Sequence, residues 1–227
     1  MSATSRKKRP PLRRPDAVIA AAWQAKRRCL TSVLSWLAVV VAMVVLYAVF
    51  PTSPARNTSS SGTSYAVGSP GIGQAAPAFK LAASTGEQVS LSDYRGKNVL
   101  LYFQQGLSCQ PCWDQLTDLE KSSAKVKAAG IDEIVSITTD PADLITRKTK
   151  DMGLSTPVLS DPGLKVSQQY EANQYGTMGT FHDGHSFLLV GPDGTIRWRP
   201  DYGGAPNYTM YVAVDKLLAD LKAGAKS

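Results

Sequence analysis

From about Ala76 the chain alternates short apolar runs with segments of helical spacing. "NVLLYFQ" (98–104) is a run of strand formers. In "CWDQLTDLEKSSAKVKAAG" (112–130), Trp113, Leu116, Leu119 and Ala124 recur near helical spacing and Gly130 ends the pattern, which predicts one helix. "DEIVSITTD" (132–140) predicts a second buried strand, and "PADLITRKTKDM" (141–152) a helix with Pro141 in its first turn. "TPVLSD" reads as a short strand and "PGLKVSQQYE" as a short helix. "HSFLLVGPDGTIRWRP" predicts a hairpin around its PDG turn, and "NYTMYVAVDKLLADLKA" (207–223) a closing amphipathic helix. The order β-α-β-α-β-α-β-β-α predicts an α/β domain over residues 76–227, its central sheet covered by helices. About 150 residues are enough for one self-supporting core.

The first 75 residues follow other rules. "LTSVLSWLAVVVAMVVLYAVF" (30–50) is 21 residues without a charge. A helix of that length spans ~30 Å, the thickness of the bilayer hydrocarbon. Trp36 and Tyr47 lie toward its two ends. A buried core helix or a cleavable signal peptide, with Ser53–Ala55 as a small-x-small site, are the other readings of this run. Residues 51–75 are rich in Ser, Thr, Gly and Pro without an apolar period and predict a flexible spacer.

Charge sharpens this picture. The chain carries a net +7, but residues 1–28 hold nine Lys/Arg against one acid, Asp16. The remainder has 16 Lys/Arg and 17 Asp/Glu, so the domain itself is near neutral. A near-neutral domain argues against nucleic acid as a partner. The basic tail (1–29) instead abuts the apolar run. By the positive-inside rule the tail is expected in the cytoplasm, with Leu30–Phe50 as a single-pass anchor in the cytoplasmic membrane and the domain outside it. Cys29 sits at the cytosolic boundary and reads as a bystander, with acylation as the alternative.

The candidate chemistry lies in "LYFQQGLSCQPCWDQL" (101–116), which holds Cys109 and Cys112 spaced C-x-x-C. Cys109 follows a strand end and a Gly-containing turn, and Cys112 falls in the first turn of the next helix. The unpaired N–H groups and positive dipole end of a helix stabilise a thiolate there. Cys109 would attack a partner disulfide and Cys112 would resolve the mixed disulfide. Three other uses compete. A structural disulfide would close too short a loop to gain much chain entropy. A zinc site would need His182 and His185 from "FHDGH", far outside finger spacing. Copper would suit two thiolates with the imidazole of His185, and Met178 lies nearby in sequence. Tyr102 and Phe103 read as core strand, Trp113 as packing or an apolar rim, and Asp114 and Asp118 as solvated helix charges.

The stretches "APAFKL", "GEQVSLSDYRGKNVLLYF", the C-x-x-C, "ITTDPADL", "PVLSDPG" and "FLLVGPDGTIRW" occur in that order over residues 72–223. In them the chain resembles the thioredoxin-like redoxin superfamily, in its alkyl hydroperoxide reductase/thiol-specific antioxidant branch. Tethered members with C-x-x-C resemble thiol–disulfide interchange proteins. The resemblance implies a thioredoxin-like fold, with a mixed central sheet, in which Cys109 attacks and Cys112 resolves. It implies no cofactor. Protein thiols or disulfides would be the substrates, and a thiol donor or acceptor the recharging partner. Two departures stand out. Peroxiredoxins carry P-x-x-x-[ST]-x-x-C, and counting back from Cys109 those positions are Tyr102 and Gly106. The loop that holds a cis-proline in thioredoxins, or an arginine in many peroxiredoxins, here brings His185 to about that place. His185 is therefore expected to face the pair, as a cation beside the Cys109 thiolate, a proton carrier for Cys112, or a metal ligand. The main expectation is a membrane-tethered thiol–disulfide oxidoreductase. A peroxiredoxin-type peroxidase using Cys109, and a copper metallochaperone using Cys109, Cys112 and His185, are the alternatives.

Overall fold

The computed structural model describes residues 67–224, together with Val40 and Val41, which are helical. The expected tail (1–29), the rest of the apolar run (30–50) and the spacer up to residue 66 lie outside the described residues. No helix among the described residues is long and apolar enough to cross a membrane.

The described strands form one mixed sheet: β1 (Lys80–Ala83), β2 (Gln88–Ser90), β3 (Val99–Gln104), β4 (Glu133–Thr138), β5 (Val158–Ser160), β6 (His185–Val190) and β7 (Ile196–Trp198). Their order is β2-β1-β5-β4-β3-β6-β7. Strand β3 lies in the interior of the sheet, next to the central β4, to which it is parallel, and antiparallel to β6. The helices are α1 (Gln110–Lys121), α2 (Ser123–Ala128), α3 (Ala142–Met152), α4 (Lys165–Gln169) and α5 (Val214–Gly224).

Alternation along the central strands builds two cores. On one face Leu100, Tyr102, Phe187 and Leu189 meet Trp113, Leu116 and Leu119 of α1, Ile145 of α3, and Leu217 and Leu221 of α5. On the other, Val99, Leu101, Phe103, Val135, Ile137, Leu188 and Val190 pack against Leu91, Val166 and Tyr170. Every residue of β3 is buried because both faces are covered. Each large side chain so buried contributes roughly 1.5–3 kcal/mol relative to exposure.

Four boundaries differ from the sequence pattern. The hairpin β1–β2 adds two strands in front; at four and three residues they are too short to show a period. The expected helix 112–130 starts earlier, at Gln110, and breaks at Ser122. Two consecutive serines are weak helix formers, and the Ser122 N–H is shared between the carbonyls of Asp118 and Glu120. Helix α5 begins only at Val214, because loop bonds such as Thr209 N–H to Tyr202 O occupy the preceding amides. The end of the expected spacer, 67–75, is paired rather than free: Val67 N–H donates to Arg199 O, Gly73 N–H to Ile196 O, and Ala75 bridges Thr195.

Candidate active site

The cysteine loop leaves the C-terminal end of β3, the usual position for a site in an open α/β sheet. Two neighbours shape it. Gly106 has φ +89, and a Cβ there would lie 1.8 Å from a carboxylate oxygen of Asp140. Glycine is therefore required both for the backbone conformation and for the close approach of the β4–α3 loop. The same Asp140 Oδ2 accepts the Leu107 N–H at 2.7 Å and the Thr138 hydroxyl at 2.9 Å. The Gly106 carbonyl in turn accepts the Cys109 N–H at 3.0 Å and the Trp113 indole N–H at 3.0 Å. Trp113 is thus fully buried packing, not an apolar rim.

Cys109 is the N-cap of α1, and Pro111 sits in its first turn. Cys109 and Cys112 are joined as a disulfide with a Cα–Cα distance of 5.4 Å. The Cys112 N–H donates to the sulfur of Cys109 at 3.3 Å. Cys109 is 5% exposed and Cys112 0%. The first sulfur thus has a backbone donor, the helix N-terminus and the better access, all of which favour a nucleophilic thiolate. The second is enclosed.

Lys148 of α3 brings a cation to the first residue of α1. Its ammonium donates to Gln110 Oε1 at 3.0 Å and lies 5.8 Å from the Trp113 ring centroid. No spacing rule could have found it, because α3 meets α1 only in the tertiary fold. The sequence-predicted carboxylates sit outward. Asp114 accepts from Gln110 Nε2 at 2.9 Å, and Asp118 from the Tyr211 hydroxyl at 2.7 Å.

His185 does reach this end of the sheet, but not as a cation. It is fully buried at the start of β6, and burial pushes its pKa down to about 3. Its Nδ1 lies 2.9 Å from the Tyr102 hydroxyl. That hydroxyl donates to the carbonyl oxygen of Cys112 at 3.3 Å. So His185 contacts the pair through Tyr102, a residue the sequence pattern assigned to packing alone. Tyr102 stacks on Phe187, with centroids 4.5 Å apart, and meets His185 edge-on at 5.0 Å. Burial also raises the Tyr102 hydroxyl well above the usual phenol pKa, so it stays protonated.

His182 is separate from this chain of bonds: its Nδ1 lies 3.2 Å from the Thr139 hydroxyl. Among the described residues no group of three or more His, Cys, Asp or Glu is placed to hold a metal ion, so the copper arrangement of Cys109, Cys112 and His185 is not assembled. The loop position that the family resemblance pointed to is taken by His185, buried at the start of β6. The buried Arg199 donates to the carbonyls of Tyr170 and Pro70.

This geometry agrees with what the chain is similar to. The Peroxiredoxin Bcp of Escherichia coli K12 is 33% identical over 127 residues, covering 55% of this chain and 81% of that one. The chloroplastic Peroxiredoxin Q of Triticum aestivum is 31% identical over 131 residues, covering 57% and 60%. Among solved structures, Peroxidoxin BcpB from Mycobacterium tuberculosis superposes with a TM-score of 0.56 at 20% identity, covering 67% of this chain and 96% of that one. The 2-Cys peroxiredoxin of Plasmodium vivax gives 0.55 at 21%, covering 67% and 80%. These two show the thioredoxin-like fold. Residues 72–199 match the AhpC/TSA family, and with the peroxiredoxin relatives this places the chain in that family of thiol oxidoreductases.

Proposed function

We propose that this protein is a thiol-dependent peroxidase of peroxiredoxin type, cycling between the Cys109/Cys112 dithiol and the disulfide. The observation that carries the reading is the division of labour between the two sulfurs in a chain of this family: Cys109 has the backbone donor and Cys112 is enclosed one turn on. The Cys109 thiolate attacks the terminal oxygen of a hydroperoxide. The O–O bond breaks, the alkoxide leaves with a proton as alcohol or water, and Cys109 becomes a sulfenic acid. The Cys112 thiol then attacks that sulfur. The S–S bond forms, and the hydroxyl leaves as water with the Cys112 proton. An external thiol donor returns the pair to the dithiol. With the Cα atoms 5.4 Å apart the disulfide closes within the first turn of α1, without unwinding it.

The second reading is exchange with protein disulfides. The departure from the peroxidatic pattern favours it. Counted from Cys109, the Pro and Ser/Thr positions fall on Tyr102 and Gly106; counted from Cys112, they fall on Gln105 and Cys109. One experiment separates the two. The full chain is incubated with hydrogen peroxide or cumene hydroperoxide and a dithiol, and peroxide consumption is followed. Turnover lost in Cys109→Ser supports the peroxidase. Consumption no faster than the dithiol background, with reduction of insulin disulfides in a parallel assay, replaces it with the exchange reading.

The proposed address is the cytoplasmic membrane, with the domain on the outer side. It rests on the length of Leu30–Phe50 and the flanking basic tail. Alkylation of Cys29 by a membrane-impermeant reagent in intact cells would place the tail outside and reverse that orientation.

A further inference from the structure

Opening the disulfide creates a problem at Cys112. The incoming thiolate bonds to Cys109, the S–S bond breaks, and Cys112 leaves as a thiolate in a fully buried position. A buried charge without a hydrogen bond is costly. The sulfur of Cys109 has the Cys112 N–H. The sulfur of Cys112 receives no hydrogen bond among the described residues.

One hydroxyl already bonds this residue, at its carbonyl. The Tyr102 O–H reaches the Cys112 carbonyl at 3.3 Å, a long bond that is easily exchanged. The same oxygen lies 2.9 Å from His185 Nδ1. A phenol has one hydrogen. Both contacts are hydrogen bonds only if His185 carries its proton on Nδ1 and donates to the Tyr102 oxygen, leaving the phenol hydrogen for Cys112. His185 therefore orients Tyr102 toward Cys112. The stack on Phe187, with rings 8° from parallel, fixes the Tyr102 ring. Gln104, the register partner of His185, is tied to the Ser136 hydroxyl at 2.7 Å and leaves that orientation undisturbed.

We propose that Tyr102, oriented by His185, is the positioning residue for Cys112: its hydroxyl passes from the carbonyl to the sulfur of the same residue when the disulfide opens. It stabilises the thiolate as it departs, and again as the Cys112 thiol gives up its proton in attacking the oxidised Cys109. Tyr102 keeps its own proton throughout. The inference needs only disulfide chemistry at this pair and holds for either reading of the function above.

The other titratable groups around the pair have commitments elsewhere. Lys148 of α3 bonds Gln110, Asp140 binds the Leu107 N–H, and Asp114 accepts from Gln110. The Tyr202 hydroxyl, whose ring meets His185 edge-on, donates to Asp220.

The test uses the full chain with Cys109→Ser, so that Cys112 titrates alone. Its rate of alkylation by iodoacetamide is followed against pH, by mass, on the peptide that carries Cys112. Adding Tyr102→Phe is expected to raise the midpoint by about one pH unit, a tenfold loss of thiolate at a given pH below it. Replacing His185 with Leu removes the orienting donor and is expected to raise it part of the way; His185→Asn restores an N–H donor and is expected to return most of the shift. Near-UV circular dichroism checks that each variant is folded. Superimposable profiles for folded Tyr102→Phe and its parent overturn the proposal. If Tyr102→Phe does not fold, the His185 pair decides: equal midpoints in His185→Leu and the parent overturn it. Failure of peroxide turnover in the native chain touches only the peroxidase reading, since alkylation needs no peroxide.

Discussion

The backbone N–H of Cys112 is shared between the carbonyl oxygen of Cys109 at 3.1 Å and its sulfur at 3.3 Å. One peptide unit thus belongs to the enclosed cysteine and serves the accessible one. The asymmetry predicts unequal loss on mutation. Cys109→Ser is expected to abolish turnover in any assay of this chain. Cys112→Ser is expected to keep one stoichiometric reaction with peroxide and to stop there, with a sulfenic acid on Cys109 that dimedone traps and mass spectrometry reads. Dimedone on Cys112 in the reverse variant, and none on Cys109, would exchange the two roles.

Lys148 is held at Gln110, the residue after Cys109, and over the Trp113 ring. Replacing it with Met removes a charge that favours the Cys109 thiolate. The Cys109 thiolate midpoint, read in a Cys112→Ser background, is expected to rise by about half a pH unit. Lys148→Arg should leave it near the native value. A midpoint that does not move in Lys148→Met removes Lys148 from the electrostatics of the site.

Gly106 carries the cysteine loop past Asp140. Gly106→Ala puts a methyl group where the carboxylate lies and forces a left-handed conformation on an L-residue, which alone costs about 1–2 kcal/mol. Urea denaturation is expected to show a loss of at least that size. The Asp140 bond to the Leu107 N–H should open with it, seen as faster hydrogen exchange at Leu107. An unchanged denaturation midpoint would mean that the loop has room the structure does not show.

Two buried groups pull stability in opposite directions with pH. His185 is neutral when folded, its pKa pushed down to about 3 by burial. Unfolding lets it take up a proton below its ordinary value of about 6.5. Its stabilising contribution is therefore complete above pH ~6.5 and is lost on acidification toward pH ~3, at up to about 1.4 kcal/mol per unit. Asp183 behaves in the reverse sense. Burial raises it well above the usual carboxyl range, and the Asp161 charge adds to this, against the Ser167 hydrogen bond. The protonated acid is stable in place at low pH, and stability falls as pH rises from the ordinary carboxyl pKa toward the raised one. Asp183→Asn is thus expected to be no less stable than the native chain at pH 8, with its relative advantage shrinking toward pH 4. His185→Gln is expected to flatten the acid-side loss. Denaturation midpoints at matched pH values separate the two, and an Asp183→Asn penalty that is the same at every pH would contradict this account.

The central strands were legible because their signal is local. "NVLLYFQ" and "FLLV" are runs of strand formers covered on both faces, and β3 and β6 follow them. The C-x-x-C was legible for the same reason: its spacing and the turn before it lie within a dozen residues, and the structure closes the pair at the start of α1. The hairpin β1–β2 was hidden, since three or four residues show no period and only pairing with β5 fixes them. The split at Ser122 turned on single backbone bonds that a side-chain pattern does not carry.

For the site, the sequence alone determined which two thiols come together and that a helix N-terminus stands behind them. The tertiary structure decided what surrounds them. The placement of Lys148 follows from α3 packing across α1, and the close fit of Gly106 from the β4–α3 loop. The sequence offered His185 as a candidate cation facing the pair, whereas burial keeps it neutral and aligns it on Tyr102. Such properties depend on the packing of groups 83 residues apart, brought together by the β3–β6 register, and no local pattern encodes that distance or the loss of water that follows from it.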